Sequence, residues 1–223
     1  MSYLEILSET IVFRSLSMEE IEVILENSVF QYKRYKKDEI IAQSGAPCNH
    51  ARIVVEGNVS GEMMDLSGKI LKIEDIVPTM MIAPAFLYGK RRMYPVNVIS
   101  LGDTVIWQMH RDEFSRLMQQ NLTLLDNFLS AISSRAQFLT EKIKFVSFPS
   151  IRAKIAGFIL HYSQEKETLQ LPITHQQMSE LFGVTRPSLS REIRKMNAEG
   201  IIDSERDVIR IVDRDRLTAL LKV

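Results

Sequence analysis

The sequence predicts an α+β chain built in three parts: an antiparallel β barrel or sandwich, one long helix, and a C-terminal winged helix-turn-helix. Three observations carry that prediction. Short β-type runs punctuated by glycine fill residues 29–109, a heptad spacing of apolar residues runs over 125–146, and two helix starts flank a glycine turn within 174–196. The expected boundaries are residues 1–110 for the sheet domain with its leading helices, 111–147 for the long helix and 148–223 for the last domain.

Residues 5–27 read as short helices, with Leu16-Ser-Met-Glu-Glu20 as a helix start. The pattern then changes to short β-type runs at Val29–Tyr35, Glu39–Gln43, Arg52–Val55, Asn58–Met64, Lys69–Ile73, Tyr94–Ile99 and Thr104–Met109. Gly45, Gly57, Gly61, Gly68, Gly89 and Gly102, with Pro47, mark the turns between them.

From Asp112 to about Phe145 the sequence turns helical. Leu125, Leu129, Ile132, Ala136, Leu139, Ile143 and Val146 are spaced alternately four and three residues apart. That is a heptad seam, and it predicts a parallel helix pair with a second copy of the chain. Phe128, Ala131, Arg135 and Phe138 form a neighbouring strip suited to packing on the chain's own sheet. Phe148-Pro149 breaks the helix and makes a hinge. Ile151–Ser163 opens the last domain, with Ile155, Phe158, Ile159 and Tyr162 on one face.

The two helices that follow announce their own starts. Thr174 caps the first, Gln177 completes a capping box, and Ile173 and Met178 sit where a hydrophobic staple would. Gly183 turns the chain. Thr185 caps the second helix, Val184 and Leu189 form its staple, and Pro187 falls in the first turn, where a missing N–H costs nothing. Leu189, Ile193 and Met196 cluster on one side of this helix, leaving Arg186, Pro187, Ser190, Arg191, Arg194 and Lys195 on the other. An arginine face pinned by an apolar stripe is what major-groove reading of DNA requires. Ile201-Ile202 and Val208–Val212 around Ser204–Asp207 then read as a hairpin wing with Arg206 near its tip, a candidate phosphate contact. Asp213 caps a last helix running to Leu221.

Composition bounds the partners. The chain has 223 residues and 28 basic against 28 acidic side chains, so its overall charge does not advertise nucleic acid. Residues 148–223 hold 12 Lys and Arg against 10 Asp and Glu, and residues 1–147 hold 16 against 18. The bias is local: residues 185–196 carry four basic residues and one acid. A single cysteine, Cys48, leaves no intrachain disulfide and no cysteine-built zinc or iron–sulfur site, so no metal is expected. The beginning of the sequence lacks a signal peptide's basic start and apolar core, and the apolar stretch from Ile76 to Tyr88 is too short to span a membrane. A cytoplasmic location without membrane contact is expected. No Gly-rich phosphate loop, helical metal-ligand pair or nucleophile motif is present, and no enzymatic activity is expected.

The order of parts resembles the Crp/Fnr family of bacterial regulators over essentially the whole chain. Its most specific pieces are Lys37–Gly45, Ile53–Val59 and the Thr174–Ile202 reader. The resemblance implies an N-terminal β-roll, which is a cyclic-nucleotide-binding-like jelly roll, followed by a long dimerisation helix. It implies a homodimer on a near-palindromic operator, with an unknown small-molecule or gas effector and RNA polymerase as further partners. Arg186 and Arg191 match the family's base-reading arginines, and Ser188 matches a small polar position between them. Thr174, Gln176 and Thr185 match backbone-contacting positions, to which Ser190, Arg194, Lys195 and Arg206 are added as phosphate contacts. Pro187 stands where the cyclic-AMP-binding branch has a base-reading glutamate, and proline cannot accept from cytosine, so the half-site differs at that step.

The effector region departs further from that branch. Its cyclic-nucleotide members carry Gly-Glu and, after a short gap, Arg-Ser or Arg-Thr. Here Ala83 stands near the glutamate and Tyr94-Pro95 replaces the Arg-Ser pair. A buried cyclic phosphate without its arginine is an unpaired charge, so no cyclic AMP is expected. Arg91 or Arg92 substitutes only if the loop rearranges. Met63, Ala83, Phe86, Tyr94, Pro95 and Phe128 are the candidate effector-pocket residues, and Leu125, Leu129, Ile132, Ala136, Leu139 and Ile143 the candidate dimer interface. The oxygen-sensing branch needs several cysteines, which excludes its iron–sulfur cluster. An alternative within the family is a haem-dependent sensor of nitric oxide or carbon monoxide, with Met63, Met64, Met80, Met81, Met93, His50 and His110 as conceivable axial ligands. An alternative outside it is an effector-binding module that regulates a protein partner.

Overall fold

The computed structural model of the chain describes residues 2–64, 69–164 and 166–222. It divides into two compact units, 1–133 and 134–223, each with its own apolar core.

The first unit opens with α1 (Tyr3–Ser8) and α2 (Met18–Glu26). The Ser17 side chain accepts from the Glu20 N–H while the Glu20 carboxylate accepts from the Ser17 N–H, the start predicted at Leu16–Glu20. Seven strands follow: β1 (Phe30–Tyr35), β2 (Ile40–Ala42), β3 (His50–Glu56), β4 (Val59–Met64), β5 (Ile70–Ile76), β6 (Asn97–Ser100) and β7 (Thr104–His110). A four-residue helix, α3 (Pro84–Leu87), lies between β5 and β6. All seven predicted runs are strands. They form two antiparallel sheets, β1-β7-β3 and β2-β6-β4-β5, with Trp107, Ile53 and Ile106 fully buried in the core. Gly57, at φ 80, makes the tight β3–β4 turn against the Asp103 carbonyl. Gly68, read as a turn residue, lies outside the described residues.

The single helix predicted from Asp112 is two. α4 (Arg111–Gln120) stops at Asn121, whose backbone is extended, and α5 runs from Leu122 to Val146. Asn121 Oδ1 accepts from the Leu124 N–H at 3.1 Å, starting the second helix as an N-cap. The strip on α5 also differs from its prediction. Its residues divide between the two cores: Phe128 is buried in the first, against Tyr88 and Phe114, and Phe138 packs on the second. Leu125 and Ile132 of the heptad seam pack on the first core. Leu129, Leu139 and Ile143 are 52%, 47% and 74% exposed, and Ala136 is exposed with them.

The second unit continues with α6 (Ile151–Ser163), β8 (Thr168–Gln170), α7 (His175–Phe182), α8 (Arg186–Ala198), β9 (Ile202–Glu205), β10 (Val208–Ile211) and α9 (Arg214–Ala219), ending in a 3-10 turn at Leu220–Lys222. β8-β10-β9 is a three-stranded antiparallel sheet. Phe148-Pro149 does break the helix, and the joint is packed: a Cβ placed on Gly157 would lie 2.9 Å from the Phe148 ring, and the Phe145 and Phe148 ring centroids are 6.1 Å apart. No described helix is long and apolar enough to cross a membrane.

Candidate functional site

Both helices of the predicted reader are built by their own first residues. Thr174 Oγ1 accepts from the Gln177 N–H at 3.2 Å, and Gln177 Oε1 accepts from the Thr174 N–H at 2.9 Å, closing the capping box. Gly183, at φ 65, carries the chain out of α7. Thr185 Oγ1 accepts from the Ser188 N–H at 3.3 Å, and the Thr185 and Ser188 hydroxyls lie 2.8 Å apart. Pro187 occupies the first turn of α8.

One face of this pair is fixed by burial. Met178, Leu181 and Phe182 from α7 join Leu189, Ile193 and Met196 from α8 in the second core. The other face is polar. Arg186, Pro187, Arg191, Arg194 and Lys195 are exposed, as are Thr174, Gln176 and Thr185, while Ser188 and Ser190 are half-buried. Arg194 Nε donates to the Ser190 carbonyl at 3.3 Å, and the Gln176 amide donates to Glu180 at 2.8 Å. Arg186 and Arg191 have no side-chain partner among the described residues. Arg206 is exposed at the tip of the β9–β10 hairpin, at φ 51, in a two-residue turn set by the Glu205–Val208 pair. The hairpin is tied across its strands by Arg210 and Asp203 at 3.1 Å.

Two supports of the reader escaped the sequence reading. On α6, Arg152 Nε donates to Glu192 at 2.7 Å, and its two terminal nitrogens donate to Glu199 at 2.9 and 2.8 Å. Glu192 is the one acid within 185–196, so this guanidinium neutralises the charge that would oppose a phosphate. The hydrogen bonds from Arg152 hold the Glu199 carboxyl below its usual range. Lys154 Nζ donates to the Phe182 carbonyl at 2.8 Å, satisfying an orphan acceptor at the end of α7 and placing a cation at its negative pole. Their partners are tens of residues away, so no local pattern marks either.

The candidate effector residues fall in two settings. Tyr94 and Phe128 are buried in the first core, and Ala83 and Phe86 pack against it. Met63 and Pro95 are exposed. Ala83 takes a left-handed conformation, φ 49, at the start of α3. Tyr94 is 3% exposed beside the buried Cys48, and burial pushes its pKa up. The Arg52 guanidinium lies 5.5 Å from the Tyr94 ring centroid. That guanidinium is already engaged, with Gln108 Oε1 at 3.2 Å and the Ile41 carbonyl at 3.0 Å. Of the conceivable axial ligands, Met63, Met64 and Met93 are exposed, Met80 and Met81 pack on the core, and the His50 and His110 rings meet edge to face at 5.3 Å. Among the described residues no group of three or more His, Cys, Asp or Glu is placed to hold a metal ion.

Comparison with known proteins agrees with this layout. Residues 32–121 match the cyclic nucleotide-binding domain, and residues 153–220 match the Crp-like helix-turn-helix domain. The chain is 20% identical over 195 residues to the cyclic AMP receptor protein of Thermus thermophilus, covering 85% of this chain and 87% of that protein. It is 19% identical over 177 residues to the cAMP-activated global transcriptional regulator CRP of Salmonella typhimurium, covering 77% of this chain and 84% of the relative. Among solved structures, the catabolite activator protein of Thermus thermophilus shares the fold with a TM-score of 0.55 at 18% identity, over 96% of this chain and 99% of that one. A transcriptional regulator from Thermotoga maritima gives a TM-score of 0.52 at 26% identity, over 57% of this chain and 97% of that one. A β-roll matching one domain, followed in the same chain by a capped, arginine-faced reader matching the other, makes this protein a member of the Crp/Fnr family of DNA-binding transcription regulators.

Proposed function

We propose that the protein acts as a homodimer that reads a near-palindromic operator with α8 of each copy, under control of a signal other than cyclic AMP. The observation that carries this reading is the pair of exposed guanidinium groups of Arg186, at the first residue of α8, and Arg191, on the side of α8 away from Leu189, Ile193 and Met196, both without a side-chain partner among the described residues. Both take the role of guanine readers. Pro187 and Ser188 sit between them against the bases, and Pro187 removes an acceptor for cytosine. Thr174, Gln176, Thr185, Ser190, Arg194, Lys195 and Arg206 hold the phosphate backbone and set the register.

Dimerisation is supported by the exposed seam on α5, where Leu129, Leu139 and Ile143 offer apolar side chains to solvent at heptad spacing. Two of the relatives named above are a cyclic AMP receptor protein and a cAMP-activated regulator. Against cyclic AMP here stand Tyr94-Pro95 at the phosphate position and an Arg52 whose guanidinium is committed to Gln108 and Ile41. RNA polymerase is the expected protein partner at the promoter.

Selection of genomic fragments by the purified protein supplies the operator, and fluorescence anisotropy on that operator tests the reading. Arg186→Ala and Arg191→Ala are each expected to lose about 1–3 kcal/mol of discrimination against a substituted half-site. Absence of sequence-specific binding at low salt overturns the reader. Micromolar binding of cyclic AMP in a calorimetric titration overturns the second half of the proposal.

A further inference from the structure

The β-roll carries a second cluster of cations, remote in sequence from α7 and α8. Lys90, Arg91 and Arg92 follow α3 in consecutive positions, all exposed and all without a side-chain partner among the described residues. They border an open groove of about 490 Å3 that is also lined by Pro47, Asn49, Met93, His110 and Arg111, with no acidic residue among its walls. Arg111 is balanced by Asp112, whose Oδ1 accepts from it at 2.8 Å, so the uncompensated charge is that of the Lys90–Arg92 run.

Three features separate this from an ordinary solvated charge run. The backbone holds it in place. Cys48 N–H donates to the Arg92 carbonyl at 2.9 Å, Tyr94 N–H to the Ala46 carbonyl at 3.0 Å, and Pro47 pairs with Met93 as an isolated antiparallel bridge. The Arg92 end of the run is thereby anchored to the Ala46–Cys48 segment that lines the groove. The groove also has an apolar side, since Pro47 lines it and Met93 is half exposed within it. Finally, the surrounding sequence is not basic: residues 1–147 carry 16 basic against 18 acidic side chains. A concentration of three free cations in a slightly acidic segment is a local device, not a general field.

We propose that this groove binds a small oligophosphate, the polyphosphate tail of a nucleotide being the chemical class that fits. Two arginine forks and a lysine ammonium match the closely spaced oxygens of linked phosphates, which a single carboxylate does not supply. A groove of this volume is of the size that takes a small molecule, and Pro47 with Met93 offers contact to a flat apolar ring beyond the phosphates. The DNA backbone is the competing source of phosphate.

The site is tested without DNA, so its failure is distinct from failure of the α8 reader. The probe is inorganic tripolyphosphate, titrated calorimetrically into the full chain. One site per chain is expected, with an affinity on the order of 10–100 µM at low salt that weakens as salt is added. The combined variant Lys90→Gln/Arg91→Gln/Arg92→Gln is expected to weaken binding by about tenfold or more. A control variant at exposed cations elsewhere on the same unit, Arg14→Gln/Lys37→Gln, is expected to bind as the parent does. Circular dichroism and the emission of Trp107 establish that the variants are folded, and Arg91→Glu alone, expected to lose binding, serves if the triple variant is not. No saturable heat with the parent protein overturns the site. So does parent-like affinity in the triple variant or in Arg91→Glu. A short DNA duplex that binds more tightly than tripolyphosphate and depends on the same three residues assigns the groove to DNA and overturns the small-ligand reading.

Discussion

Arg152 grips Glu199 with two parallel bonds, at 2.9 and 2.8 Å, while its third nitrogen reaches Glu192 at 2.7 Å. One guanidinium on α6 thereby ties down two acids belonging to the end and the middle of the reading helix. Arg152→Ala is expected to lower the melting temperature and to weaken DNA binding, because Glu192 is released toward the phosphates. Arg152→Lys recovers little of either, since an ammonium cannot hold both carboxylates in fork geometry. Calorimetric melting and anisotropy titrations on the same variants check this. An unchanged melt and unchanged affinity in Arg152→Ala show that the clamp contributes nothing.

Gly45 and Gly57 share a φ of 80 and differ in what surrounds them. At Gly45 a Cβ meets nothing within 4 Å, so Gly45→Ala is expected to cost about 1 kcal/mol, the left-handed backbone penalty alone. At Gly57 the Cβ would sit 2.3 Å from the Asp103 carbonyl oxygen and 2.9 Å from Thr104 Cα, both backbone atoms that cannot yield cheaply. Gly57→Ala is expected to cost at least about 2 kcal/mol more. Urea unfolding followed by the single tryptophan, Trp107, which is fully buried in the same unit, measures the contrast. Equal losses at the two positions contradict it.

His50 faces positive charge. Burial lowers its pKa first, and Arg52 on its own strand, His110 on β7 and Lys33 on β1 lower it further. A histidine whose folded pKa is depressed binds fewer protons folded than unfolded between the two values, so stability rises with pH there. His50 therefore costs nothing above the ordinary histidine pKa of about 6.5, and stability is lost as pH falls below it toward the folded value. His50→Gln is expected to flatten the decline of the melting temperature on acidification from neutral pH while leaving it nearly unchanged at pH values near 8. An identical pH profile in the variant and the parent contradicts this.

The exposed part of the α5 seam predicts the assembly. Leu139→Glu/Ile143→Glu places charges at two positions that are 47% and 74% exposed in the single chain, so folding of each unit is expected to survive. Pairing of helices through that seam does not tolerate them. Light scattering is expected to read twice 25.7 kDa for the parent and close to 25.7 kDa for the variant. A parent that is monomeric, or a variant that stays dimeric, contradicts the seam.

Features that depend on a few adjacent residues were legible in the sequence. The helix start at Leu16–Glu20, the capping box at Thr174, the Thr185 start, the Gly183 turn and the short β-type runs of the seven strands each involve partners within about one helical turn or along one strand. The outward face of α8 followed from the same periodicity. What was not legible depends on distant partners. β8 is three residues long and is a strand only because β10, some forty residues later, pairs with it. Asn121 reads as one more polar helical residue until its side chain is seen capping Leu124. Arg152 and Lys154 look like solvated charges on α6. The candidate effector residues were chosen by position along the sequence, and whether they share a wall is decided by how two sheets and α5 bring them together, which no spacing encodes.

Thr174 and Thr185 fix the first turns of the reader helices from within the chain, so their order needs no contribution from DNA. A basic segment that folds only on its target gives up chain entropy at the moment of contact, whereas here that ordering was finished when the protein folded. Recognition is then the docking of rigid parts. Its speed is governed by diffusion and ionic strength, and its heat-capacity change by the contact surface alone, without the large contribution of a coupled folding step.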